Sequence, residues 1–274
     1  MWPNNSLAPL GLLAGKGDLP LLFAEAAHSL KKRIVVIGVE GLTDRRIENL
    51  AEKVHYVRLG SLGTILELLK LSKIKQVVLA GGIPKREIYS PNLKLDPSAQ
   101  TFMSRTGNRG DDHLLKAFQV FLKLKCGVSV LDSRSFLKDL LAKKGVMSRR
   151  VPTPAQWKDL RFGFRIAKGI GKMDIGQTVV VKHGIVLSVE ALEGTDAAIR
   201  RGGELGFGQA VVVKVSKPNQ DLRFDLPCIG LETLESLKVS GSSVLGVEAE
   251  KTLIVFKERV IKEADRAGIA LVGL

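Results

Sequence analysis

The sequence predicts an α/β protein in two parts: an N-terminal Rossmann-like domain on a parallel sheet, residues 1–145, and a C-terminal mixed α/β domain, residues 155–274. Short apolar runs alternate with amphipathic helical stretches through the first half, the pattern of a parallel sheet covered on both faces. The second half opens on a helix and a hairpin signature before strands and helices alternate again. Between them, residues 143–157 hold Lys-Lys-Gly, Arg-Arg and Pro-Thr-Pro with little apolar periodicity, which marks a domain boundary. With 274 residues, 45% hydrophobic and 26% charged, the chain can bury a sizeable core.

Residues 7–14 read as a buried first strand that closes in Gly15-Lys16-Gly17. A helix follows over 19–30, with Pro20 in its first turn, where a missing N–H costs nothing. Residues 33–39 are rich in β-branched side chains and form a second strand. The rhythm continues with a helix at 44–52, a strand at 54–59, a helix at 61–71 and a strand at 76–80, which ends in Gly81-Gly82. Residues 84–110 read as a long, irregular, polar connection of the kind that forms lids. Asp111 and Asp112 open a helix to about 125, then a strand at 128–131 and a helix at 133–142 complete the first half. In the second half the expected order is a helix at 156–168 and a hairpin, 177–182 and 185–191, turning on His183-Gly184. A helix N-capped by Thr195 and a strand at 210–215 come next, then an extended segment at 221–226. A helix at 231–239, strands near 244–247 and 252–256, a helix at 257–267 and a strand at 269–272 finish the chain.

The formal charge of +14 predicts attraction to polyanions, whether nucleic acid, an anionic membrane face or a phosphorylated substrate. The basic residues are spread along the chain, no nucleic-acid module is recognisable, and aromatics make up only 5%. Nucleic acid is therefore not the expected partner. Cys126 and Cys228 sit beside apolar residues and read as reduced, packed thiols, not a disulfide or a zinc site. No signal-peptide pattern opens the chain and no apolar run reaches the length of a spanning helix, so a cytoplasmic protein is expected. The four histidines lack metal-ligand spacing, and no serine or cysteine stands in a nucleophile motif. Carboxylates, lysines and a metal are left to carry any chemistry.

The stretch 190–230 is where they gather. From Asp221 to Leu226 charged and apolar residues alternate, so an extended backbone would place Asp221, Arg223 and Asp225 on one side. Lys214 and Lys217 lie just upstream, and two carboxylates with several cations suit a divalent metal and a phosphate-bearing ligand. The same pattern also describes a plain amphipathic strand with a salted outer face. The glycine turns at 15–17 and 81–82 fall at strand carboxyl ends, where ligands bind in open α/β sheets; taken singly, each is also an ordinary tight turn.

Several segments in this order and spacing resemble the UDP-2,3-diacylglucosamine pyrophosphatases of the LpxI type, which act in lipid A biosynthesis. They are Gly11-Leu-Leu-Ala-Gly-Lys-Gly-Asp-Leu-Pro20, Arg109-Gly-Asp-Asp-His-Leu-Leu115 and Asp174-Ile-Gly-Gln-Thr-Val-Val-Val181, then Val189-Glu-Ala-Leu-Glu-Gly-Thr-Asp-Ala197 and the stretch from Lys214 to Gly230. The resemblance implies two domains with the ligand between them, and a cytoplasmic enzyme working peripherally at the inner membrane face. It implies hydrolysis of the pyrophosphate of UDP-2,3-diacylglucosamine with Mg²⁺ or another divalent cation. Water attack on the α-phosphorus would give UMP and 2,3-diacylglucosamine 1-phosphate (lipid X). Carried onto this chain, the catalytic aspartate is Asp225, with Asp221 as a second metal contact and Arg223 beside them. Lys214, Lys217, Arg223 and Gln220 would hold the diphosphate, Glu193, Thr195 and Asp196 would complete the site, and Gly15, Lys16, Gly17, Gly81 and Gly82 would face the ligand from the first domain. Lys16 departs from the acidic residue frequent in the family there, and 83–108 is unusually basic and polar. The alternatives are another phosphohydrolase or nucleotidyl transferase for a different sugar nucleotide, and a nucleotide-sugar or lipid-binding protein without turnover. The oligomeric state stays open.

Overall fold

In the computed structural model the described residues are 8–88, 90–107, 111–223 and 225–274; Leu7, Arg109, Gly110 and Phe224, used above, lie outside them. Contacts divide the chain into two units, one of residues up to 137 together with 221–225, the other of 138–220 with 226–274.

The first unit carries a parallel five-stranded sheet. Its strands are β1 (Leu10–Ala14), β2 (Ile34–Val39), β3 (Lys53–Val57), β4 (Gln76–Ala80) and β5 (Ser129–Val130), in the spatial order β3-β2-β1-β4-β5. Chain order reverses between β1 and β4, so the crevice at their carboxyl ends is the switch point of the sheet. Strand alternation divides the core into two layers. Leu12, Ile34, Val36 and Val78 pack with Phe23 of α1 (Leu19–Ser29). Val35, Ile37 and Val77 pack with Leu66 and Leu69 of α2 (Leu62–Leu71) and Leu122 of α5 (Asp111–Cys126).

Three segments differ from the expectation, the first being the helix expected at 44–52, which is a 3₁₀ turn, Arg45–Asn49. The connection 84–110 is not irregular throughout: it forms α3 (Lys85–Ile88) and α4 (Pro97–Thr106). Asp96 explains α4, because its carboxylate accepts from Ala99 N at 2.7 Å as an N-cap, and Pro97 takes the first position. Its other oxygen accepts from Gly63 N at 2.7 Å, tying α4 to the first turn of α2. The helix expected at 133–142 is instead two 3₁₀ turns, Ser133–Ser135 and Lys138–Leu140. Asp132 accepts from Arg134 N at 2.9 Å, a local bond that competes with a full helix.

The second unit has a six-stranded sheet, β6-β13-β11-β9-β7-β8, made of β6 (Gly145–Val146), β7 (Thr178–Lys182), β8 (Ile185–Val189), β9 (Val211–Lys214), β11 (Val244–Val247) and β13 (Ala270–Gly273). Strands β9, β11 and β13 run parallel; β7 is antiparallel to β9 and to β8, and β6 to β13. A separate pair, β10 (Cys228–Ile229) and β12 (Leu253–Ile254), is parallel. Gly145 and Val146, inside the boundary region read from sequence, thus pair as an edge strand.

One face of the large sheet packs on α6 (Pro154–Lys172) through Leu160, Ala167, Val179 and Val213. The other packs on α7 (Thr195–Gly206), α8 (Leu231–Val239) and α9 (Lys257–Arg266) through Val180, Ile199, Leu234, Val260 and Leu271. A capping box starts α6, with Thr153 Oγ1 accepting from Gln156 N and Gln156 Oε1 from Thr153 N. The hairpin turns where expected: His183 and Gly184 have φ of 52° and 75°, the pair of positive values a two-residue primed turn needs. The buried Asp159 carboxylate accepts from both turn amides, at 2.9 and 2.8 Å.

Candidate functional site

Strand β9 delivers Lys214 to the carboxyl end of the second sheet, 7% exposed. Its ammonium donates to Thr195 Oγ1 at 3.0 Å and to the Cys228 carbonyl at 2.9 Å. Thr195 in turn donates to Glu190 Oε1 at 2.8 Å, and Gln177 N reaches the other Glu190 oxygen at 3.3 Å. Thr195 is therefore not the N-cap: Gly194, at φ 85°, takes that place, and the hydroxyl is turned to a buried carboxylate–hydroxyl–ammonium chain. An ammonium has three donors, so this chain occupies two and orients the group.

A second lysine follows in the same loop. Lys217 is 8% exposed and donates to Asp174 Oδ1 at 2.6 Å, while its amide donates to Gln220 Oε1 at 2.9 Å. Beside them, at the end of β11, stands a denser knot that the sequence did not single out. Glu248, 6% exposed, accepts from Lys168 Nζ at 2.5 Å, Ser216 N at 2.9 Å, Ser216 Oγ at 2.7 Å and Lys251 Nζ at 2.9 Å. Burial works against its charge, but the hydrogen bonds from Lys168, Lys251 and Ser216 win and bring its pKa from 4.5 to about 2. Glu193 accepts from Arg201 at 2.8 Å and from Ala191 N at 3.2 Å, an exposed clasp near the start of α7. Asp196 lies in the first turn of α7, and its buried Oδ1 meets no hydrogen-bond partner among the described residues.

Asp221, Arg223 and Asp225 belong by contact to the first unit. They are not on a strand. Asp225 N donates to the Asp221 carbonyl at 3.1 Å, and Arg223 N to Asp221 Oδ1 at 3.2 Å, so the segment is a tight turn closed on its own aspartate. The alternation misleads because local side-chain bonds hold the backbone here instead of a ladder. What the pattern foresaw at the level of chemistry does occur: Arg223 clamps Asp221 with Nε at 2.8 Å and Nη2 at 2.5 Å. That clamp, against partial burial, holds the Asp221 carboxyl below its ordinary pKa. Arg223 also donates to Gln119 Oε1 at 3.1 Å, and its carbonyl accepts from Ser133 N at 2.8 Å. A second clamp, Arg134 on Asp132 at 2.7 Å, lowers the Asp132 pKa although burial opposes it, and Arg223 adds to the lowering. Sequence reasoning passed over Asp132 and Arg134; the Asp-Ser-Arg spacing of an aspartate turn was the available signal.

The glycine turns meet across the switch point. Lys16 and Gly82 exchange both backbone bonds, at 2.8 and 3.1 Å. A Cβ on Gly15 would stand 2.6 Å from the Gly82 carbonyl, and one on Gly81, at φ 81°, 2.7 Å from the Lys16 carbonyl. These two glycines are required by the mutual approach of two backbones.

Beneath them is an apolar cavity of about 280 Å³, wholly within the first unit. Leu13, Ile37, Val57 and Leu79 line it from the carboxyl ends of four strands, and Phe102 and Phe118 from α4 and α5. Phe102 stacks edge-on against Phe118 with centroids 6.0 Å apart.

Among the described residues no three His, Cys, Asp or Glu side chains gather as a metal site. Both cysteines are partly buried free thiols. No described helix is long and apolar enough to cross a membrane. A donor set of one or two aspartates does not fit zinc, which takes three or four protein ligands. It does fit Mg²⁺, which takes much of its shell from phosphate oxygens and water.

Two family models match the chain, the LpxI N-terminal domain over residues 9–140 and the LpxI C-terminal domain over 143–272. A curated relative, UDP-2,3-diacylglucosamine pyrophosphatase LpxI of Caulobacter vibrioides, is 30% identical over 97% of both chains. Among solved structures, the biotin carboxylase domain of the Hydrogenobacter thermophilus 2-oxoglutarate carboxylase is 13% identical, with a TM-score of 0.30 over 74% of this chain and 42% of that one. A biotin carboxylase domain of a thermophilic 2-oxoglutarate carboxylase, bound to ADP, is 11% identical, with a TM-score of 0.26 over 62% and 34%. This chain thus spans less than half of either, and neither likeness bears on the site. The two domain matches and the full-length relative place the chain in the LpxI family.

Proposed function

We propose that this protein hydrolyses the pyrophosphate bond of UDP-2,3-diacylglucosamine, by water attack on the α-phosphorus, to UMP and 2,3-diacylglucosamine 1-phosphate. The observation that carries the reading is the relative of that activity, alike over 97% of both lengths. The chemistry needs little covalent help from the protein: it needs charge held on the phosphates and an oriented water. A bound Mg²⁺ would supply Lewis acidity toward the phosphate oxygens. Asp225 is the carboxylate proposed to hold it. Asp221 acts here by fixing Arg223, whose guanidinium is suited to a phosphate oxygen. Lys214, oriented by Thr195 and Glu190, and Lys217, oriented by Asp174, supply positive charge toward a diphosphate. The turn glycines 15, 17, 81 and 82, with Lys16, and Gln220, Glu193 and Asp196 are retained as proposed substrate contacts. The net charge of +14 supports peripheral residence on an anionic membrane face, where such a lipid substrate lies.

The test is UMP release by purified protein with Mg²⁺ and with EDTA, beside Asp225→Ala. Metal-dependent release is expected, reduced at least about 10²-fold in the variant. Wild type that binds the substrate yet releases no UMP under any divalent metal would mark it as a binding protein.

A further inference from the structure

We propose that the outer face of α6 is the surface by which the protein docks on an anionic lipid bilayer. This rests on the proposed reaction, whose substrate is a lipid, and goes beyond the net charge by assigning the contact to one face. α6 carries five basic residues, Lys158, Arg161, Arg165, Lys168 and Lys172, against one acidic residue, Asp159. Two of the six are turned to the interior of the unit. Asp159 is buried with its carboxylate on the amides of His183 and Gly184, and Lys168 is bound to Glu248. The other four are exposed, and among the described residues no ion pair holds any of them. At 3.6 residues a turn, positions 158, 161, 165 and 172 fall within about 60° of one another around the helix and spread over about 21 Å of its length. They form one stripe of four cations.

Apolar groups run beside the stripe. Lys158, Arg161 and Arg165 line an open groove of about 670 Å³ together with Phe162, Phe164 and Leu274, and no acidic side chain enters its lining. Half-buried phenylalanines among exposed, long-stemmed cations are the composition of a helix that lies in a lipid interface. The rings meet the acyl boundary, while ammonium and guanidinium groups stay among the phosphates. At the C-terminal end, the capping residue Met173 is 65% exposed. The last turn of α6 packs on the loop of Lys217, where a Cβ on Gly171 would stand 3.3 Å from Lys217 Cα, and Asp174 just past the helix accepts from the Lys217 ammonium. A contact along α6 therefore borders residues proposed to hold the diphosphate.

Charge decides between occupants. A second copy meeting this face symmetrically would set four cations against the same four. An anionic bilayer offers opposite charge along the whole stripe. The diffuse charge of the chain attracts it to such a surface, and a face of one sign orients it there.

The test compares two triple variants that remove equal charge. One is Lys158→Gln, Arg161→Gln and Arg165→Gln on α6; the other is Lys32→Gln, Lys70→Gln and Lys75→Gln, exposed on the first unit. All six side chains are exposed, so both variants should keep the wild-type circular dichroism and melting. A cation beside an anionic bilayer favours binding about fivefold. On vesicles of phosphatidylglycerol and phosphatidylethanolamine the α6 variant should therefore lose about 10²-fold in binding and the other less than about threefold. KM for substrate presented in those vesicles should rise in the α6 variant, while KM in neutral detergent micelles and kcat in both stay as in wild type. Vesicle binding lost in the α6 variant alone, even with no UMP released by wild type, supports the docking face while the proposed reaction falls. Hydrolysis by wild type with vesicle binding reduced equally in both variants overturns the face while the reaction stands. The face is also overturned if the α6 variant binds vesicles as wild type does, whether it then dissociates from dimer to monomer in sedimentation velocity or loses oligonucleotide binding alone.

Discussion

Glu248 shows how much a single buried charge in this protein depends on its neighbours. Its folded pKa of about 2 lies below the unfolded value, so the stabilisation is complete above about pH 5 and is lost as pH falls toward 2. The shift corresponds to about 3 kcal/mol at neutral pH. Glu248→Gln should cost about that much or more, because it leaves the Lys168 ammonium, which is 25% exposed, without its anion. Urea midpoints across pH 2 to 7 check this: wild type should weaken steadily below about pH 5, and the variant should show little of that slope. Equal slopes in both would mean that other carboxylates carry the acid sensitivity. At the Asp221–Arg223 clamp the expected effect is on rate. Asp221→Asn should lower kcat/KM about tenfold or more by releasing the guanidinium, and Arg223→Lys should not restore it, because an ammonium cannot replace a two-point fork. Full activity in Asp221→Asn would remove the positioning role.

Helices and strands differ in how openly they announce themselves. Strands β1 to β4 and the β7–β8 hairpin were legible because short apolar or β-branched runs end in glycine turns whose backbone geometry only a few residues supply. Helix α4 was hidden: Pro97-Ser-Ala-Gln-Thr looks like loop, and its helical state depends on the Asp96 cap and on Phe102 finding Phe118 and Phe121. The cap is worth about 1–2 kcal/mol. Asp96→Ala should therefore lower stability by about that amount, whereas Asp96→Asn, which still accepts a hydrogen bond, should keep most of it. Denaturant titration measures it; an Asp96→Ala protein as stable as wild type would mean that packing alone holds α4. The segment 221–226 failed in the opposite direction. Period-two alternation over so few residues cannot distinguish a ladder from a turn whose aspartate bonds its own backbone. The residues of the candidate site were legible as chemistry, but Asp174, Glu248 and Glu190 were not, because the first two bond lysines distant in sequence and Glu190 reaches Lys214 only through Thr195.

Across the molecule, the organisation has one consequence for the site residues. The chain enters the second unit at 138, yet 221–225 is counted by its contacts with the first, so Lys214 and Asp225, close in sequence, are anchored in different units. The charge, by contrast, is spread over both. A balance of +14 with 5% aromatics favours a diffuse attraction to an anionic surface over base stacking. Such attraction is screened within about 10 Å at 0.1 M salt. Cosedimentation with phosphatidylglycerol vesicles should therefore be strong at low salt and fall several-fold at high salt, with little binding to phosphatidylcholine alone. Single-stranded oligonucleotides should bind without sequence preference and should not compete for UMP release. If vesicle binding instead ignores both salt and headgroup charge, the basic surface serves another purpose.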